Sequence, residues 1–292
     1  MTPTVILIVI VSTFMHAGWN LLARYYRSES AFYNKMLLIT TVVGFVPAIW
    51  SEAVTHSMTP LAWACVTGSG FCSAVYLLGL AQAFESSDFT IVYPVARSLP
   101  VVFVGFIDVL RGRHLTLLGW AGILLVVSGC MLVPLRSFNE ITLSKYINRT
   151  SVWMVLAAMG TVGYTLLDKI AAEAVQQGPA TAARYGYFYF AFSYLPYLGF
   201  MRIFKSQRDN PNPGDWKLAP IAAVLGFAGY WLILWAYQLS PYASYIVAFR
   251  QFSIVIGAVL AFIIYKEQGV RVRLTGASLI ATGLVLIAGW GR

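Results

Sequence analysis

IVYPVARSLPVVFVGF, residues 91–106, and SYIVAFRQFSIVIGAV, residues 244–259, each read as a bilayer-spanning helix except at one position. Arg97 interrupts the first and Arg250 the second. A charged side chain at the bilayer centre costs about 2.5–3.5 kcal/mol on insertion scales. Each arginine lies roughly 13–15 Å from the start of its span at 1.5 Å per residue, so snorkelling to an interface would be strained. Neither has a carboxylate three or four residues away on its own helix. Something else must meet each charge: a wet cavity, a carboxylate on another helix, backbone carbonyls or a ligand.

Composition fixes the solvent. Hydrophobic residues make up 59% of the 292 and charged residues 11%, with a mean hydropathy of +0.72. Soluble domains carry about 25% charged residues. So few polar groups cannot cover a water-facing surface, which predicts an all-α polytopic membrane protein. The net charge of +9 sits mostly in loops between apolar runs, where it sets orientation and meets lipid headgroups rather than nucleic acid. The three cysteines, Cys65, Cys72 and Cys130, lie within apolar runs and have no metal-ligand spacing. The N-terminal run lacks a basic n-region and a cleavage signal, so it reads as a retained first span.

A span needs about 20 largely apolar residues. Ten such segments are expected: 4–24, 31–50, 59–84, 88–110, 115–134, 151–174, 180–203, 216–240, 242–265 and 270–290. Polar connections fall at 135–150 and 204–215. The chain also repeats. AFESSDFTIVYPVAR (83–97) aligns without gaps on AYQLSPYASYIVAFR (236–250), 153 positions later, so Arg97 meets Arg250. Gly122 and Gly129 match Gly276 and Gly283, GWNLLAR (18–24) matches GYTLLDK (163–169), and Pro47 and Pro196 fall at similar depth. Each half then holds five spans, residues 1–135 and 151–292, joined by a loop at 136–150. An odd count inverts the second half relative to the first, and inverted repeats in transporters bracket a site near the midplane.

The two five-span halves and the segments that end them resemble the drug/metabolite transporter superfamily, EamA type. These segments are LRGRHLTLLGWAGILLVVSGCMLV (110–133) and IYKEQGVRVRLTGASLIATGLVLI (264–287). Glu267 with Gly276 and Gly283 fits the family pattern, as does HAGWN (16–20), whereas His114 stands where the first half usually carries Glu. The resemblance implies a ten-helix basket that carries small metabolites with no bound cofactor, works by secondary transport and exports its substrate.

Candidate site residues follow from buried polarity. Arg97 and Arg250 can clamp an anionic group, since a guanidinium fork pairs bidentately with carboxylate or phosphate. Equally they can tie helices together, or divide the two roles. His16, Trp19 and Asn20 form one polar-aromatic stripe on the first span, and Thr161, Tyr164 and Thr165 the aligned stripe on the sixth. Tyr76, Gln82, Tyr93, Trp231, Trp235 and Gln251 complete the set, with most other aromatics read as packing or interfacial. Pro94 and Pro100 bracket Arg97 and predict a kink or gate in the fourth span that its proline-free counterpart lacks. No carboxylate falls at mid-bilayer. Asp168 is the best partner for an arginine or a proton, with protonation of His16 as the other route.

No nucleotide-binding loop or hydrolase motif is present, and the three histidines at 16, 56 and 114 are scattered, which argues against an enzyme. The expected function is a secondary transporter of a small anionic metabolite, an amino acid or another organic acid, working in the cell membrane as a monomer or homodimer. A lipid or phosphate-headgroup translocase is the alternative reading. Of the 20 Lys and Arg, two are the intramembrane arginines, and only Arg111, Arg113, Lys169, Arg184 and Arg292 fall on the side of the termini, against thirteen opposite. The positive-inside rule therefore sets both termini outside, whereas the family resemblance implies both inside.

Overall fold

The computed structural model describes residues 1–25, 29–86, 89–140, 149–204, 215–265 and 269–291, with side chains at 21, 23–25, 29, 84–86, 89–95, 140, 149–150, 215, 258 and 260–265 outside the described set. Glu267 and most of the 204–215 connection also lie outside the described residues. The architecture is all-α and polytopic, with no strand among the described residues. The first part of the chain forms α1 (Pro3–Tyr25), α2 (Glu29–Thr55), α3 (Pro60–Ser86), α4 (Phe89–Leu110) and α5 (Leu117–Leu132). A short 3-10 turn, Phe138–Glu140, precedes α6 (Arg149–Ala174), α7 (Pro179–Ile203) and α8 (Asp215–Leu239). The chain ends in α9 (Ala243–Arg250), α10 (Phe252–Tyr265) and α11 (Val270–Trp290).

Six of these helices, α1, α2, α3, α6, α8 and α11, are each long and apolar enough to cross a bilayer. Their outward faces carry large apolar side chains that only lipid can solvate. Val43 and Val46 on α2 are each 72% exposed, and Val224 on α8 is 67% exposed. The ninth span was expected as one continuous helix over 242–265. It is instead split at Gln251 into α9 and α10. The fourth, bracketed by Pro94 and Pro100, runs unbroken over Phe89–Leu110.

Helix pairing follows a two-way pattern. α3 packs most extensively on α6, and α8 on α1. α3 also packs on α7 while α8 packs on α2, and α4 meets α6 while α9 and α10 meet α1. Two pairs stand alone on the axis of this exchange, α2 with α7 and α5 with α11.

The α5–α11 contact is backbone against backbone. A Cβ on Gly283 would stand 2.5 Å from the Gly122 carbonyl oxygen, and one on Gly122 would stand 2.7 Å from that of Gly283. Gly129 and Gly276 reciprocate in the same way, at 2.5 and 2.9 Å. Small residues let helix backbones approach this closely where lipid offers no hydrophobic drive between helices. These four glycines are therefore engaged in contacts within the chain.

Gly283→Val should lower the thermal midpoint of the detergent-purified protein, by an overpacking cost of about 1–3 kcal/mol or more. Gly289→Ala, whose added Cβ meets nothing within 4 Å, should leave the midpoint unchanged.

Candidate functional site

A cavity of about 50 Å³ opens between α1, α2, α3, α6, α7, α8 and the end of α9. Arg250, His16, Trp19, Tyr76 and Tyr164 line it, together with Ser12, Ser73, Tyr189, Phe190 and Tyr230. A water needs roughly 10–15 Å³ of such space, so the cavity has room for a few waters or one small polar group.

Arg250 is the last residue of α9 and is 7% exposed. Its guanidinium lies 5.4 Å from the centroid of the Tyr230 ring, a cation–π contact. Among the described residues that guanidinium makes no hydrogen bond and no ion pair. A buried cation left in this state pays its full desolvation cost, which water or an anion in the cavity would offset.

Arg97 is held differently. From α4 its Nη2 donates to Ser253 Oγ at 2.7 Å, and its Nη1 lies 3.0 Å from His16 Nε2. His16 Nδ1 faces the Trp19 Nε1–H at 3.1 Å. Both ring nitrogens thus face groups that can only donate, and a neutral imidazole has one lone pair to offer. A second ring proton would find no acceptor on either side. Arg97 stands behind His16 rather than on the cavity wall.

The interruption after Arg250 is built from side chains, not proline. Ser253 Oγ donates to the Arg250 carbonyl at 2.8 Å, and Gln251 Nε2 donates to the Val247 carbonyl at 3.0 Å. Carbonyls freed by the break are thus satisfied inside the protein, as non-helical backbone at membrane depth requires. The same Ser253 hydroxyl receives Arg97. On the other flank, Asp108 Oδ2, also from α4, accepts the Ser244 backbone N–H at 2.8 Å in the first turn of α9. A carboxylate there complements the positive end of the helix dipole. α4 therefore holds the first turn of α9 through Asp108 and the first turn of α10 through Arg97.

Asp168 on α6, expected as a partner for an arginine or a proton, is 1% exposed and is occupied by hydroxyls. Its Oδ1 accepts from Ser69 Oγ at 2.5 Å and Tyr185 Oη at 2.7 Å, and its Oδ2 accepts from Tyr230 Oη. It reaches Arg250 only through Tyr230, whose ring carries the cation. One residue further along α6, Lys169 Nζ donates to the Tyr237 and Ser240 carbonyls at 2.8 and 2.6 Å, closing the end of α8 just before α9.

The structure thus brings His16, Trp19, Tyr76, Tyr164 and Arg250 to one cavity, and leaves other expected residues off its wall. Asn20 Nδ2 bonds the His16 carbonyl of its own helix at 2.7 Å. Thr165 is fully buried, and Gln251 serves the break beside Arg250. Trp231 Nε1 donates to the Pro179 carbonyl at 2.7 Å, because it points about 100° around α8 from Tyr230. The side chains of Tyr93 and Pro94 lie outside the described residues, and Pro100 is buried. Of the missed residues, Ser12 was readable, since it sits four residues before His16 on the same face. Tyr189 and Phe190 belong to the run YGYFYF (185–190), which gives no periodicity from which to choose one face.

Asp168→Ala should destabilise the protein strongly, since three buried hydroxyls lose their acceptor at about 1–3 kcal/mol for each stranded group. Asp168→Asn, which keeps an acceptor and the shape, should recover most of that loss when thermal midpoints in detergent are compared.

The model of the EamA-like transporter family matches residues 148–289. No curated protein matches the sequence. One solved protein crystal structure superposes over 100% of this chain and 99% of its own, with a TM-score of 0.71 at 15% identity, a likeness of fold alone. The second half of the chain is thus similar to the EamA-like transporters, and the long apolar helices among the described residues are those of a multi-pass membrane protein.

Proposed function

We propose that the protein is a secondary transporter that moves a small organic anion, an amino acid or another organic acid, by alternating access. The observation that carries this reading is the Arg250 guanidinium, buried at a cavity wall and unpaired by any described protein anion. Its planar fork suits a carboxylate. The neighbouring hydroxyls and rings supply hydrogen bonds and an apolar surface for the remainder of the solute. Arg97 takes the other role open to a buried arginine. It orders His16 and the start of α10 from behind the wall.

Two five-helix halves, residues 1–135 and 151–292, related by inversion, are the moving parts of this reading. The exchanged helix pairings and the reciprocal glycine contacts of α5 and α11 support that division. Export is the direction the family resemblance favours. Both termini outside is the orientation favoured by the Lys and Arg distribution. A C-terminal reporter active only in the cytoplasm should therefore be silent, and an active one would reverse the orientation.

Thermal-shift screening of the purified protein against a panel of organic acids tests the function. Acids that bind should raise the midpoint of the wild type. Arg250→Gln should weaken that binding by about 10–100-fold, the worth of a charge-assisted hydrogen bond. A panel in which organic cations stabilise and acids do not, or in which Arg250→Gln binds acids as well as wild type, would refute the reading.

A further inference from the structure

Tyr230 joins two buried charges. Its ring faces the Arg250 guanidinium at 5.4 Å, and its hydroxyl donates to Asp168 Oδ2. Asp168 and Arg250 are 1% and 7% exposed, so water screens little of the field between them. A single phenol ring thus separates a fixed carboxylate from the cation at the cavity wall.

Coulomb's law sets the sign of the consequence. An anion drawn to Arg250 is repelled by the Asp168 carboxylate one ring away. A proton on Asp168 removes that repulsion. A bound anion, in turn, makes the same proton harder to lose. The two binding events favour each other, and by one and the same factor. For unit charges held one ring apart, at an effective dielectric of about 20, that factor is about ten.

The surroundings of Asp168 suit both of its forms. Ser69 on α3, Tyr185 on α7 and Tyr230 on α8 each direct a hydroxyl at it. A hydroxyl can donate or accept by rotating, so the same groups can serve the carboxylate as donors or take the O–H of the acid on one oxygen.

The titratable neighbours leave this sign unchanged. Cys65 and Cys72 on α3, Tyr189 on α7 and Tyr237 on α8 lie around Asp168 and are uncharged in their acid forms, as is Tyr164 on α6 at the edge of Tyr230. Lys169, next along α6, turns its ammonium to the Tyr237 and Ser240 carbonyls and to Glu173 at 3.1 Å. α4 packs on α6 with Arg97 committed to Ser253 and His16, and Asp108 to the Ser244 amide. His16 is also protonatable and lines the cavity, but its two ring nitrogens face donors, which favours Asp168 as the proton's site.

Resting on the anion reading above, we infer that the protein binds its anion together with a proton carried on Asp168. The carboxylate takes the proton from water as the anion enters and returns it as the anion leaves, and only that O–H bond forms and breaks.

Formate tests this on the full-length protein. Its three heavy atoms suit a cavity of about 50 Å³, and it stays ionised from about pH 5.5 to 8.5. Its affinity, read from the concentration dependence of the thermal midpoint, should fall about tenfold across that range in the wild type. Asp168→Asn, a permanently uncharged stand-in for the acid form, should bind formate at every pH as tightly as the wild type does at about pH 5.5. In weakly buffered solution with a pH indicator, formate should draw up to about one proton per wild-type molecule, and none in Arg250→Gln or Asp168→Asn. Formate binding that needs Arg250 but ignores pH, with no proton taken up, would overturn the coupling and leave the anion reading standing. A pH dependence that persists in Asp168→Asn would overturn the assignment to Asp168. If Asp168→Asn does not fold, the proton count in wild type against Arg250→Gln still decides. Silence of formate at every pH would overturn this inference, while larger acids that bind through Arg250 would keep the broader reading.

Discussion

A guanidinium inside a bilayer protein must be solvated by the protein or by what the protein admits, and the architecture turns on how this chain meets that demand twice. Arg97 is given hydrogen-bonding company by Ser253 and His16. Arg250 is given an aromatic face and a cavity. The two are linked through one hydroxyl, since Ser253 receives Arg97 while donating to the carbonyl of Arg250. That single serine lets a helix break at membrane depth without leaving an unsatisfied carbonyl, and the break lets a charged residue end one helix at the cavity wall.

The surrounding frame is more symmetric than the site it holds. Helix pairs exchange between the first and second halves of the chain, and glycines interlock reciprocally where α5 crosses α11. At the cavity the symmetry fails. Position 253 is serine, and its counterpart in the first half is Pro100, which has neither a hydroxyl to receive an arginine nor an N–H. His16, which meets Arg97, has Thr161 as its counterpart. Aligned arginines therefore find different neighbours, and only one of them reaches the cavity wall.

Much of the frame was legible in the sequence because hydrocarbon imposes long apolar runs and penalises buried charge. Arg97, Arg250 and the paired glycines stood out for that reason, as did the stripe through His16 and Trp19. The break at Gln251 was not legible. Its cause is a pair of side-chain hydrogen bonds from Ser253 and Gln251, residue types that occur in unbroken spans as well. Proline pointed to α4 instead, where the helix continues. The role of Asp168 was hidden for a related reason: its partners Ser69, Tyr185 and Tyr230 come from three other helices, and no spacing along the chain brings them together. Tyr230 was missed by one position on a helix too apolar throughout to reveal which face looks inward.

The grip of α4 on the first turns of α9 and α10 has a mechanical corollary. Acyl chains possess neither donors nor acceptors, so lipid cannot replace Asp108 at the Ser244 amide or Arg97 at the Ser253 hydroxyl. Prising α4 from α9 and α10 would strand a carboxylate and a guanidinium in oil. Separating α4 from these two helices therefore requires water or other protein groups to take over both polar partners.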